Sequence, residues 1–320
     1  MKRLICGCVF GALFVLLLGQ ASIAATNRIF VTNERSNNVS VINGSTLEVE
    51  ATINVGDRPR GIGLSPDGKE LYIAASEDDA IKVVDPVSLK LLREFKAGSD
   101  PEAFAVHPNG NIYISNEDDA KATVYDPATG RQIIEIPVGL EPEGVAISPD
   151  GTQVIVTSES TNMLHVIQVP EHRIVANVLV GARPRAAVFN RAGTLAFATS
   201  EISGEVKKVD MRSYKIVAKT KIADDTAKPK DVLLSKDEQR LYVAGGRSNQ
   251  VLVLDADSME LIKNIPVGKR VWGLAMSKDG ERVFTTNGVS GDVSVIDTGK
   301  NVVIKTITVG KFPWGVVIDD

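Results

Sequence analysis

Apolar residues along this chain fall in short bursts of about four to eight, each stopped by a cluster of turn residues, the pattern expected of β-strands joined by tight turns. One stretch serves as the model. Glu143 to Ser148 is the first burst, ended by Pro149-Asp150-Gly151; Val154 to Thr157, Leu164 to Ile167 and Arg173 to Val180 follow. The bursts are rich in Val, Ile and Thr, whose branched side chains suit a pleated surface. The group of four then repeats. Its closing segment recurs as Asn54-Val55-Gly56, Lys96-Ala97-Gly98, Pro137-Val138-Gly139, Leu179-Val180-Gly181, Pro266-Val267-Gly268 and Thr308-Val309-Gly310, at spacings of 42, 41, 42, 87 and 42 residues. The double gap holds a degenerate copy, Lys221-Ile222-Ala223, followed by an insertion, Asp224-Asp225-Thr226-Ala227. Seven copies of four strands predict an all-β, seven-bladed β-propeller of four-stranded antiparallel blades.

The two ends predict how the ring shuts. With strands named a to d from the axis outward, Arg28-Ile29-Phe30-Val31-Thr32 matches strand b and Gly315-Val316-Val317-Ile318 matches strand a. The C-terminal strand a is therefore expected to join N-terminal strands b, c and d, leaving no long open edge. In that strand Trp314, Val316 and Ile318 are expected on one face, Gly315 and Val317 on the other. The predicted domain is 26–320, preceded by 1–25.

Aligning the repeats places side chains on common ring positions. Just before strand a the residue reads Arg60, Glu102, Glu143, Arg185, Lys230, Trp272 and Trp314, and all but Trp272 follow a proline, which fixes the turn. Directly after strand b it reads Glu34, Ser76, Glu117, Glu159, Glu201, Gly246 and Gly288. Both positions are expected at the mouth of the central channel. Charged residues and tryptophans there would converge as a ligand pocket requires, and Arg60, Arg185 and Lys230 or a bound cation would offset the glutamates. Two plainer accounts stand beside this one: the charges are solvated loop residues, and the tryptophans pack between blades.

Residues 1–25 read as a secretory signal. Lys2 and Arg3 precede the apolar run Leu4 to Gly19, and Ser22-Ile23-Ala24-Ala25 supplies small residues for cleavage after Ala24 or Ala25. The run falls short of the roughly 20 residues that span a bilayer, so the mature protein is expected in the periplasm with no membrane contact. Cys6 and Cys8 leave with the signal, and no disulfide, thiolate nucleophile or thiolate metal site remains. Without Lys2 and Arg3, 34 of the 36 basic residues face 40 acidic ones, a net charge near −6, which argues against a nucleic-acid partner.

No catalytic, metal or cofactor residues are assigned. His107, His165 and His172 occupy different repeat positions, too scattered for a haem or zinc site. Asp78-Asp79 and Asp118-Asp119 lack the interleaved spacing of a calcium loop. Asp85, Asp126, Asp210, Asp255 and Asp297, which close strand c, are expected to cap turns.

The runs Phe30-Val31-Thr32-Asn33 and Phe284-Thr285-Thr286-Asn287 resemble the YVTN repeat. So do Gly144-Val145-Ala146-Ile147-Ser148-Pro149-Asp150-Gly151, Val293-Ser294-Val295-Ile296-Asp297 and Val303-Ile304-Lys305-Thr306-Ile307-Thr308-Val309-Gly310. The likeness covers the whole mature chain and implies the fold; YVTN propellers include surface-layer modules and relatives of dehydrogenase subunits and lactonases, so it does not settle function. Seven such repeats behind a signal peptide look most like the PQQ-dependent catabolism-associated β-propeller proteins. That narrower resemblance implies a non-catalytic accessory of periplasmic alcohol oxidation. A monomer is expected, binding a small molecule or docking a quinoprotein dehydrogenase or transport component. The alternative is a lactonase-like hydrolase using the rim carboxylates.

Overall fold

The computed structural model describes residues 25–320, so the expected signal segment lies outside the described residues except for Ala25. Twenty-eight strands form seven four-stranded antiparallel sheets. The first blade combines Arg28–Asn33, Asn38–Asn43 and Val49–Asn54 with the C-terminal Pro313–Asp319 as its inner strand. Blades two to seven follow in chain order, their inner strands being Pro59–Leu64, Pro101–Val106, Pro142–Ile147, Pro184–Phe189, Val232–Leu234 and Val271–Met276. Among the described residues no helix is long and apolar enough to cross a membrane.

The apolar bursts bury both faces of each sheet because every blade is sandwiched between two others. In strand b of the first blade, Phe30 packs toward Leu71, Ile73 and Val84 of the second. Its neighbours Ile29 and Val31 face Phe284, Val293 and Val295 of the seventh. Seven such cores run between the blades. Burial of a large aliphatic side chain contributes roughly 1.5–3 kcal/mol, so the ring is held by many interchangeable contacts with no cysteine needed. Outside the cores, the strand-c aspartates cap turns as expected: the Asp85, Asp210 and Asp255 carboxylates each accept two successive backbone N–H groups.

Ring closure follows the predicted route. Ile29 pairs with Ile318, Phe30 with Val317 and Val31 with Val316, and the Asp319 carboxylate accepts the Thr26 backbone N–H at 2.8 Å. One detail differs from the sequence reading. Val316 and Ile318 pack toward the seventh blade and Val317 toward the second, but Trp314 does not share their face. The pairing slips between Val31 and Asn33, which face Val316 and Pro313, so Trp314 and Gly315 stand opposite Thr32 alone. This is a β-bulge, which bends a strand and re-aims its side chains. Trp314 turns into the channel.

Candidate functional site at the channel mouth

The same bulge recurs around the ring and explains how the rim is built. Strand-a pairing slips between Pro59 and Ile62, Pro101 and Phe104, Pro142 and Val145, Pro184 and Ala187, and Val271 and Leu274. The two bulged residues are each time a rim residue and a small one: Arg60-Gly61, Glu102-Ala103, Glu143-Gly144, Arg185-Ala186 and Trp272-Gly273. In these blades and in the first, the rim residue is thus the second residue of strand a and not the one before it; Lys230 of the sixth blade still precedes its strand. A bulge frees backbone groups from the ladder, and a strand-b hydroxyl takes them up. Thr157 Oγ1 accepts the Gly144 N–H at 2.8 Å and donates to the Arg185 carbonyl of the next blade at 3.1 Å. Thr32, Ser115, Thr199 and Thr286 make the same relay. Each hydroxyl fixes the backbone of a neighbouring blade's rim residue.

The second and sixth blades depart from this rule. In the second, Ala74 stands at the relay position and Ser76 donates instead to the Pro101 carbonyl. In the sixth, Ala244 stands there, and the inner strand is three residues long. Asp231 takes over at the ring position held elsewhere by Gly or Ala. Its carboxylate accepts the Leu274 N–H of the seventh blade and the Val232 N–H, each at 2.8 Å. Burial raises its carboxyl to about 6, against the two amides and the charge of Lys230.

Below the rim lies a central cavity of about 190 Å³, lined by strand a of six blades and, in the sixth, by Lys230 and Asp231 just before that strand. Glu143, Arg185, Lys230, Asp231, Trp272 and Trp314 reach it alongside apolar Ile62, Phe104, Val145, Leu274 and Val316. Four of the rim charges are not solvated loop residues: Glu102 is 0% exposed, Glu143 and Glu159 3% and Lys230 8%, while Glu34, Glu117 and Glu201 are partly buried. The tryptophans also stand outside the apolar cores between the blades. Both are half-buried and line the cavity.

Two ion-pair clusters hold the buried charges. Arg58 reaches Glu34 at 3.7 Å, Asp100 at 3.0 Å and Glu102 at 3.3 Å, while Arg60 pairs with Glu102 and, at 3.5 Å, with Glu34. Arg183 meets Glu159 at 2.6 Å and Glu201 at 3.4 Å. Arg185 meets Glu143 at 2.6 Å and Glu201 at 3.6 Å, and also pairs with Glu159. Lys230 crosses from the sixth blade to Glu143 of the fourth at 2.7 Å. Burial alone would raise the Glu143 carboxyl, but Arg185, Lys230 and Arg60 outweigh it and hold it well below its usual range. Burial and the neighbouring Arg185 lower the Lys230 ammonium, and Glu143 opposes them. Burial and the charge of Glu143 push Glu102 up, against Arg60. With both Arg58 and Arg60 on its oxygens, the ionised form of Glu102 is the one that fits the geometry.

Among the described residues, one carboxylate cluster could hold a cation, Asp100, Glu102 and Glu117, with ligand atoms within 4.8 Å of one another. Arg58 and Arg60 already pair with two of its three carboxylates, Asp100 and Glu102, so this donor set fits a guanidinium better than a metal. His165 stands apart, its Nδ1 paired with Asn177 and its Nε2 with the Gly139 N–H. His107 and His172 flank Tyr113, each with ring centroids 5.8 Å from it, a grouping their sequence positions did not suggest. Beside the first ion-pair cluster, whose Arg60 lies 5.8 Å from the Trp314 ring, the rim becomes aromatic. Lys230 Nζ lies 4.4 Å from the Trp314 ring, and Trp272 lies 6.0 Å from Phe312, a residue the sequence reading missed.

Comparison with known proteins agrees with this architecture. The chain superposes on hydrazine synthase of Kuenenia stuttgartiensis with a TM-score of 0.79 at 19% identity, covering 90% of this chain and 99% of that one. A protein of unknown function from Desulfotomaculum acetoxidans gives a TM-score of 0.79 at 15% identity, covering 91% and 98%. A candidate 6-phosphogluconolactonase from Bacteroides fragilis gives 0.77 at 18%, covering 92% and 98%. Likeness at this identity speaks for the fold alone. No curated protein matches the chain. The family model of the YNCE-like β-propellers matches residues 5–134, and that of the choice-of-anchor I domain matches residues 78–309. Matched over more than half its length, this seven-bladed propeller belongs to the choice-of-anchor I domain family.

Proposed function

We propose that this chain is a binding propeller that works outside the cytoplasm and takes a small molecule, or a side chain of a docked protein, at its channel mouth. The observation that carries the reading is convergence: bulged residues bring charged and aromatic side chains over one cavity with apolar walls, the makeup of a ligand pocket. Ion pairs fix the charged half of the rim in place, so binding there would lose little side-chain freedom. The leader-like residues 1–25 and the repeat resemblance favour a periplasmic accessory of PQQ-dependent alcohol catabolism. A thermal-shift screen of the mature protein against alcohols, aldehydes, carboxylic acids and PQQ tests this, since a ligand preferring the folded state raises its melting midpoint. One class should raise the midpoint in the wild type and fail to do so in Trp314→Ala. A midpoint rise that survives the substitution would place binding elsewhere.

One observation favours a hydrolase as the second reading. Glu102 and Glu143 are buried carboxylates of adjacent blades, close enough for the charge of one to act on the other, a pairing that acid–base chemistry uses. Both are locked to guanidinium groups, which ranks this reading below binding. Lactone hydrolysis abolished by Glu143→Gln would reverse that order.

A further inference from the structure

Three arginines share one ring position, and neighbouring repeats supply carboxylates to two of them, Arg58 (Glu34, Asp100 and Glu102) and Arg183, but not to the third. Arg58 and Arg183 precede the bulge prolines of blades two and five, with backbone φ of 51° and 60°. Arg183 draws its partners from the residue after strand b of the previous blade, Glu159, and of its own blade, Glu201. Arg270 occupies the same position in the seventh blade, with φ 59°. There the two supplying positions are Gly246 and Gly288. Among the described residues Arg270 forms no ion pair, although it is half-buried. Burial and the charges of Arg247 and Arg185 disfavour its charged form, outweighing Glu201 and Glu34, which favour it from beyond ion-pair distance.

The vacated ground is filled by an aromatic ring. A Cβ on Gly288 would come within 2.5 Å of the Trp272 ring, so the glycine that removes the carboxylate is also what lets the indole lie there. Arg270 stacks over Trp272 at 5.1 Å, Trp272 leans on Phe312 at 6.0 Å, and Arg35 covers Phe312 at 4.5 Å. The result is a cation–aromatic–aromatic–cation stack. Arg35, like Arg270 and Arg247, has no ion-pair partner among the described residues. Trp272 also lines the cavity, whose nearby wall is Leu274 and Val316.

Resting on the reading of the mouth as a binding site, we propose that Arg270 receives the carboxylate of an organic acid whose apolar body lies on Trp272 and enters the cavity. The ligand's carboxylate supplies the ion-pair partner that glutamates give the corresponding Arg58 and Arg183 elsewhere in the ring. A guanidinium suits that task because it meets a carboxylate through two parallel hydrogen bonds, and the indole face holds it in orientation. Glu201 and Glu34, the carboxylates whose charge reaches Arg270, are already paired with Arg183, Arg185, Arg58 and Arg60, so Arg270, Arg35 and Arg247 favour anions in this sector and disfavour cations.

Calorimetric titration of sodium benzoate into the mature chain, with benzyl alcohol as its uncharged counterpart, tests the proposal. Benzoate should bind and benzyl alcohol should not. Arg270→Gln should weaken benzoate by roughly tenfold or more, the value of one charge-assisted contact. Arg270→Lys, which keeps the charge and loses the fork, should recover part of the affinity. Because Arg270 has no ion pair to lose, both variants should melt as the wild type does, and Lys serves as the folded comparison if Gln does not. Equal affinity for benzoate in wild type and Arg270→Gln overturns the proposal. If that affinity is nonetheless lost in Trp314→Ala, the mouth stands as the site and only Arg270 falls; if it survives there too, the mouth reading falls with it. Failure of benzoate to bind at all also overturns the proposal, while the mouth reading stays open to the wider screen.

Discussion

Replacing Glu143 by Gln separates a buried network from a decorated surface. The residue is 3% exposed and sits between Arg185 at 2.6 Å and Lys230 at 2.7 Å. Arg185 keeps Glu159 and Glu201 after the change, but Lys230 keeps no carboxylate. Removing one partner of a buried pair costs about 3–5 kcal/mol, because it strands the other charge. Lys230 is already disposed to lose its proton through burial, which sets the expectation at the lower end, about 3 kcal/mol. Against a typical domain stability of about 5–15 kcal/mol, that is a large fraction. Adding Lys230→Met removes the stranded ammonium, so the double variant should regain most of the loss. Urea unfolding of wild type, both single variants and the double variant gives the coupling directly. A Glu143→Gln change within about 0.5 kcal/mol, the range of surface substitutions, would refute the reasoning.

Other consequences follow from the clasp and from Asp231. A chain ending at Gly310 loses the inner strand of the first blade, including Val316, Val317 and Ile318 with their pairing to Val31, Phe30 and Ile29. At roughly 1.5–3 kcal/mol for each large apolar side chain, it should lose its cooperative melt and associate through the bared edge; a monomer with an unchanged melt would contradict the clasp. Asp231 has a carboxyl raised from 3.8 to about 6 in the folded state, so its contribution to stability is complete below about pH 4 and is lost as pH rises through 6. A shift of about two units corresponds to roughly 3 kcal/mol. The stability difference between wild type and Asp231→Asn should therefore move by that amount in favour of the variant from pH 4 to pH 7; a pH-independent difference would show that Asp231 is not buried as described.

The fold was legible because it repeats. A seven-fold pattern of strand lengths and turn residues leaves few architectures, and the strand identities of the two ends specify the clasp. Ring alignment also located the rim, since a repeat puts equivalent residues at equivalent places. What alignment does not carry is contact between different positions of the ring. Lys230 reaches Glu143 across 87 residues and past an intervening blade, a choice made by side-chain length and the width of the channel. The bulge that moves the rim residues into strand a leaves no mark beyond a small residue, as at Gly144, and a hydroxyl opposite, as at Thr157. Asp231 was detectable in principle, as the one carboxylate among Gly and Ala at its ring position. Arg270 and Phe312 escaped notice because they precede the rim position by two residues, where the repeat is variable.

The chain contains two tryptophans, Trp272 and Trp314, and both line the central cavity. Intrinsic tryptophan fluorescence of the unmodified protein therefore reports on the mouth and nowhere else. A compound that raises the melting midpoint should change the tryptophan emission, and the change should saturate at the concentrations set by its affinity. A stabilising compound that leaves the emission untouched would contradict the assignment of the binding site to the channel mouth.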